Sequence, residues 1–148
     1  MKTITTCIFV FALLFGSCSG NKQTQKEKDI EEIKEYLNDN NLEADSTASG
    51  LYYIIEKKGS GPKPTDNSAV TVEYTGKLTN GEIFDEGLET FTVKDLIPGW
   101  QDGLKLFQQG GRGMLLIPSE LGYGDKKTGQ IPPNSVLIFE MDLIYVEE

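Results

Sequence analysis

The sequence contains no histidine, and its two cysteines, Cys7 and Cys18, both fall within the first eighteen residues. Without histidine there is no Ser-His-Asp triad, no Cys-His pair and no histidine-ligated zinc, iron or copper. Without cysteine from residue 19 onward, a folded domain downstream has neither a disulfide nor a thiolate nucleophile. Basic residues are outnumbered, 14 Lys and Arg against 23 Asp and Glu, for a formal net charge of −9. That balance argues against general nucleic-acid binding, which needs basic surface to displace phosphate counterions. Long apolar runs are missing too. The one extended stretch, residues 4–15 (ITTCIFVFALLF), falls short of the roughly twenty residues that span a bilayer.

What is present fits one modest globular domain. The chain has 148 residues, an apolar fraction of 38% and 16 glycines, a composition that favours turns over a helical bundle. Residues 1–17 read as a signal: a positive Met1-Lys2 start, the apolar run, then Gly16 and Ser17 before Cys18. Small residues just ahead of a cysteine resemble a bacterial lipoprotein processing site. The resemblance implies cleavage before Cys18 and acylation of its sulfur, a lipid anchor that needs more than one chain to hold. Ser19, next in line, resembles the pattern for outer-membrane sorting in some bacteria. That resemblance would place the protein in the cell envelope, on the outer membrane facing the periplasm. The alternative is an ordinary secretory peptide cut near Ser17 or Ser19.

Residues 18–26 are small and polar and read as a tether. Residues 27–48 begin with EKDIEEIKEYLN, where Ile30, Ile33, Tyr36 and Leu37 share one helical face and Asn38-Asp39-Asn40-Asn41 ends it. A helix this short is marginal alone. It must dock on the following domain or on a second copy, and docking on its own domain, as a monomer, is the favoured expectation.

From residue 49 to 148 the periodicity is that of strands. Residues 51–55 are apolar and β-prone, and 70–78 alternate cleanly. Asn80-Gly81 marks a hairpin, and 83–85 and 91–93 read as two further extended pieces. Residues 112–117 and 136–146 complete the set, with Leu137, Phe139, Met141, Leu143 and Tyr145 expected on one face. Trp100, Leu104 and Phe107 mark a helix over 100–107. Residues 118–134 form a long loop, a kind that is usually functional or disordered. The expected fold class is α+β, with about five antiparallel strands wrapped around one short helix and an N-terminal helical extension.

Residues alone reveal aromatic and branched side chains near turns, Tyr74, Phe84, Phe91, Leu96, Ile97, Trp100, Tyr123, Ile131 and Phe139, and no hydrolytic set. They support a small secreted binding domain and go no further. Three segments then carry a resemblance: VTVEYTGKLTNGEIFD (70–85), LIPGWQDGL (96–104) and LIPSELGYGDKKTGQIPPNSVLIFEMDLI (116–144). At this order and spacing they resemble the FKBP-type peptidyl-prolyl cis-trans isomerases over about residues 50–148.

The resemblance implies a bent sheet cradling the Trp100 helix, with an apolar cleft for X-Pro segments of client proteins. Trp100 would floor the cleft, and Tyr74, Phe84 and Phe139 would wall it. Leu96 and Ile97 would line one edge, with the Ile97 N–H donating to a substrate carbonyl. Tyr123 would donate its hydroxyl, Ile131 would cap the loop side, and Asp85 would be the main charged neighbour. Phe91 would either line the cleft or belong to the plain core. No cofactor or metal is implied. Three departures stand out. Only residues 86–90 separate Asp85 from Phe91, where family members carry more. Glu89 stands where a wall aromatic is usual, and no Arg or Lys is at hand to partner Asp85. The expectation is a more open cleft and an unpartnered Asp85. The competing reading is a module that binds proline-containing segments without turning them over.

Overall fold

The computed structural model describes residues 23–147. The expected signal of residues 1–17, Cys18 and the first part of the expected tether lie outside them. Two α-helices and six strands follow in the order α1 (Gln25–Asp39), β1 (Asp45–Ser46), β2 (Tyr52–Lys57), β3 (Ala69–Leu78), β4 (Ile83–Thr92), α2 (Pro98–Leu104), β5 (Arg112–Ile117) and β6 (Leu137–Glu147). The strands form one antiparallel sheet in the order β1-β2-β5-β6-β3-β4. The α+β class is as expected. The sixth strand, β1, has two residues, too few to show alternation.

The strand β5 explains the layering. Its residues Gly113 to Ile117 are all buried, because each face of the sheet is covered by a helix. Leu115 and Ile117 point to the concave face with Val70, Val72, Tyr74, Leu104, Phe107, Phe139 and Met141. Met114 and Leu116 point to the convex face, where Ile138 and Val136 meet Ile33 and Leu37 of α1. A strand sandwiched in this way reads as a continuous apolar run instead of an alternation.

The first helix starts two residues earlier than residue 27. Thr24 Oγ1 accepts the Glu27 N–H at 3.3 Å, and Glu27 Oε2 accepts the Thr24 N–H at 2.8 Å, a reciprocal cap. The asparagine stop is real: Asn41 takes a left-handed φ of 53°, and the Leu42 N–H returns to the Leu37 carbonyl at 2.8 Å. The helix docks on its own sheet. Ile33 is fully buried there.

Three local expectations are corrected. Residues 83–85 and 91–93 are not separate pieces. Residues 83–92 run on as one strand, β4, paired with β3 from Ile83↔Lys77 to Thr92↔Ala69, because the short 86–90 link leaves no slack for a loop, and Val93 already opens a 3-10 turn. The helix over 100–107 is α2, Pro98–Leu104. Pro98 fits its first turn. Beyond Leu104 the Leu106 and Phe107 N–H groups bond to Gly103 and Leu104, three residues back, so the coil tightens and stops. Tyr145 does not share the face of Leu143. The register shifts between Thr71 and Val72 opposite it, and this bulge turns Tyr145 out to 54% exposure while Val146 takes the inner place.

Candidate functional site

The concave face owes its opening to the shape of α2. Gly99 and Gly103 face the sheet, and a Cβ on Gly103 would lie 2.5 Å from Leu115 Cδ1. The helix therefore lies directly on β5 and brings Trp100 down between the strands. Being only seven residues long, it cannot cover the aromatic side chains beyond it.

Those side chains form a connected set around Trp100, which is 4% exposed. Phe139 meets it edge-on at 5.0 Å between ring centroids, Tyr74 at 5.6 Å and Phe91 at 6.3 Å. Tyr74 also packs on Phe91 at 5.9 Å and on Phe139 at 6.2 Å. Edge-to-face contacts of this kind fix ring planes as well as positions. A cleft of about 270 Å³ opens over them, lined by Tyr74, Asp85, Phe91, Asp95, Leu96, Ile97, Trp100, Tyr123 and Phe139. A larger concavity elsewhere is ringed by Glu56, Glu73, Arg112, Glu140 and Asp142, with Met114 among its lining residues.

Eight of the ten candidate residues thus meet at one cleft. The other two stand behind it. Phe84 packs edge-on against Phe139 at 5.5 Å, the two rings closing over Gly76, where a Cβ would lie 2.7 Å from each ring. Ile131 is 5% exposed and sits in the core under the loop. Phe84 thus supports a wall residue from behind.

Two donors face the cleft without a partner. The Ile97 N–H finds no acceptor among the described residues, while its carbonyl caps α2 by accepting from Trp100 and Gln101. The turn that presents it is held from behind, as Gln101 Nε2 donates to the Leu96 carbonyl at 2.6 Å and to the Lys94 carbonyl at 3.1 Å. The Tyr123 hydroxyl likewise makes no hydrogen bond among the described residues, and Tyr123 is 37% exposed.

Asp85 is not unpartnered. The Tyr74 hydroxyl donates to Asp85 Oδ2 at 3.0 Å, across adjacent strands. Tyr74 supplies a neutral hydrogen-bond partner, because the continuous β3–β4 pairing sets Gly76 opposite Asp85 and brings the phenol within reach. Burial pushes the Tyr74 phenol above the usual range. The hydrogen bond to Asp85 and the charges of Asp85 and Glu89 push it further the same way. The phenol stays neutral and keeps donating.

Sequence reasoning missed two residues. Asp95 lines the cleft beside Leu96; its place directly ahead of the LIPGW segment was the available signal. Asp29 is 1% exposed. It stands at the same helical spacing as Ile33 and Leu37, and a charged residue in register with an apolar stripe marks a buried polar contact.

Residues 61–144 match the family described as FKBP-type peptidyl-prolyl cis-trans isomerase. The chain belongs to this family. It is 45% identical over 107 residues to FKBP-type peptidyl-prolyl cis-trans isomerase FkpA of Buchnera aphidicola subsp. Schizaphis graminum, covering 68% of this chain and 42% of that protein. With FkpA of Escherichia coli K12 the identity is 38% over 107 residues, 69% of this chain and 40% of that one. The chain thus spans about two fifths of the length of these curated relatives. The crystal structure of Escherichia coli FkpA superposes with a TM-score of 0.73 at 36% identity, over 83% of this chain and 63% of that one. A peptidyl-prolyl cis-trans isomerase from Pseudomonas syringae pv. tomato gives a TM-score of 0.72 at 30% identity, over 85% of this chain and 98% of its own.

Proposed function

We propose that the protein is a peptidyl-prolyl cis-trans isomerase acting on X-Pro bonds of extracytoplasmic proteins. The observation that carries this is the cleft itself: an aromatic floor at Trp100 with two free donors, the Ile97 N–H and the Tyr123 hydroxyl, on its rim. Membership of the family supports it.

The chemistry needs no more than this. Isomerisation makes and breaks no covalent bond. It rotates a partial double bond with a barrier of about 20 kcal/mol, over roughly tens of seconds uncatalysed. The planar amide is the polar, resonance-stabilised form, so a dry apolar cleft penalises it more than the twisted form. Trp100, Tyr74, Phe91 and Phe139 supply that environment around the proline ring. The Ile97 N–H and Tyr123 hydroxyl hold the flanking backbone in the turned geometry. Asp85, tied to Tyr74, fixes the wall phenol in place. A cleft for which no histidine, metal or nucleophile is needed accords with a sequence that has no histidine at all.

The isomerase assay tests this: cis-to-trans relaxation of a proline tetrapeptide, read without a coupling protease. The wild-type chain should accelerate it, and the Trp100→Ala, Tyr123→Phe double variant should not. Glu89 in place of a wall aromatic favours the second reading, a binding module. Peptide affinity without acceleration would decide for that one.

The segment ahead of the fold supports an envelope role. Acylation at Cys18 would tether the domain to the outer membrane, and the side-chain charge of −9 makes electrostatic attachment to anionic lipid unfavourable. The apolar stripe of α1 is already covered by the protein's own sheet, which favours a monomer over a helix-mediated dimer. In cells fed labelled palmitate, the label should follow the protein, and Cys18→Ala should abolish both label and membrane retention. A Cys18→Ala form that stays in the membrane fraction contradicts the anchor.

A further inference from the structure

The N-terminal helix is joined to the cleft by one buried carboxylate. Asp29 Oδ2 accepts two hydrogen bonds from Ser119, from its N–H at 2.8 Å and from its hydroxyl at 2.6 Å. Both residues are buried, Asp29 at 1% and Ser119 at 2% exposure. The other oxygen, Oδ1, takes Gln25 Nε2 at 2.6 Å within the helix. No described side-chain nitrogen or oxygen buried in the protein lacks a partner, so this carboxylate is satisfied by its neighbours alone. Outside this contact Lys26 pairs with Glu120 at 3.2 Å, again between α1 and the same turn.

Ser119 opens the segment that ends at Tyr123. Its carbonyl accepts the Gly122 N–H at 3.0 Å and the Gly124 N–H at 2.8 Å, the amides on either side of Tyr123. The Gly124 carbonyl in turn accepts the Asn134 N–H at 2.7 Å, tying this turn to the far end of the 118–134 loop. A chain of hydrogen bonds therefore runs from Asp29 through both polar groups and the carbonyl of Ser119 to the backbone that carries Tyr123. Hydrogen bonds to a charged acceptor are the shorter and stronger kind, and a carboxylate at the head of the chain fixes the orientation of everything after it. Few other contacts hold Tyr123: the Lys126 N–H donates to its carbonyl at 3.3 Å, it is partly exposed, and its hydroxyl makes no hydrogen bond among the described residues. Gly122 and Gly124 give its backbone freedom, and Gly124 has a left-handed φ of 61°.

We propose that Asp29 is a positioning residue for the isomerase cleft: α1, through Asp29 and Ser119, sets the place of the Tyr123 hydroxyl. The helix that precedes the domain is thus part of its catalytic apparatus as well as its fold. The proposal rests on the reading of Tyr123 as a cleft donor. It adds that an element on the opposite side of the sheet controls that donor.

The test is a double-mutant cycle in the full chain. Asp29→Ala, Tyr123→Phe and the combined variant are assayed for kcat/KM on a proline tetrapeptide, at a temperature where circular dichroism shows each folded. Asp29→Ala should lose about tenfold. The combined variant should match Tyr123→Phe within about twofold, since Asp29 then has no hydroxyl left to place. Leu37→Ala, which loosens the other end of α1, should leave kcat/KM within about twofold of wild type. Asp29→Asn keeps one acceptor oxygen and should recover part of the loss; it also serves should Asp29→Ala not fold. Full kcat/KM in both Asp29 variants, or losses that multiply in the combined variant, would overturn the proposal. A second readout separates it from the isomerase reading. Amide exchange at Gly122 and Gly124 should quicken in the Asp29 variants whether or not the wild type isomerises peptides, and exchange at the wild-type rate would overturn the positioning role even in an active enzyme.

Discussion

The sheet has two faces, and each is covered by a helix in a different way. On the convex face α1 runs for 15 residues and is fastened at several points. Ile33 and Leu37 fill the space over Leu116 and Ile138. Asp29 holds Ser119, and Glu32 accepts a hydrogen bond from Thr79 at 2.5 Å. On the concave face α2 has seven residues, and two of its buried ones are glycines. It lies close on Leu115 and Ile117 and then ends, leaving Tyr74, Phe91 and Phe139 beside an open cleft. Both helices bury apolar surface, but only the short one leaves aromatic surface for a guest. A site arises here because a helix covers less than its sheet offers, while the longer helix on the reverse side supplies stability and, through Asp29, order.

The largest expected effect breaks the concave side. Gly103→Val places a branched side chain where even a methyl group would be 2.5 Å from Leu115. The α2 helix must lift, and stability should fall by about 3 kcal/mol in chemical denaturation, with the Trp100 floor displaced and isomerase activity lost together. The convex side should separate the two properties. Leu37→Ala should cost about 2–3 kcal/mol of stability, with kcat/KM near wild type while the chain is folded. Loss of activity in step with stability would erase the distinction between the faces.

A smaller effect lies in the pH dependence. The Tyr74 phenol titrates above its ordinary range because it is buried and faces Asp85. Above about pH 10 the unfolded chain loses this proton while the native protein keeps it. The unfolded state then binds fewer protons, so stability is intact below that pH and declines as pH rises beyond it. Denaturation midpoints taken from about pH 8 to about pH 11 should fall less steeply in Tyr74→Phe than in wild type.

Much of this was legible in the sequence, for physical reasons that differ by element. The alternation of Val70, Val72 and Tyr74 reports a half-buried strand directly, and the Trp100 segment carries its own spacing. What stayed hidden depends on partners far along the chain. Tyr145 follows the alternation of β6 perfectly, yet a bulge set by its pairing with β3 turns it outward. Residues 86–90 read as a missing loop. Their continuity within β4 follows from pairing with β3, which also hands Asp85 its partner Tyr74. Asp29 and Ser119 are 90 positions apart. Only the helix periodicity hinted that Asp29 faces inward, and nothing local could reveal what it would meet. The cleft's aromatic set was named through a resemblance, since aromatic residues in a core and in a cleft share one composition.

The most direct test is the rate of cis-to-trans relaxation of a proline tetrapeptide in the presence of the full chain, measured without a coupling protease. The cleft described here predicts acceleration by the wild type and a loss of about a hundredfold or more in the Trp100→Ala, Tyr123→Phe variant, equivalent to about 2.7 kcal/mol of transition-state stabilisation. A wild-type rate no greater than that of the double variant, with both proteins folded, would contradict it.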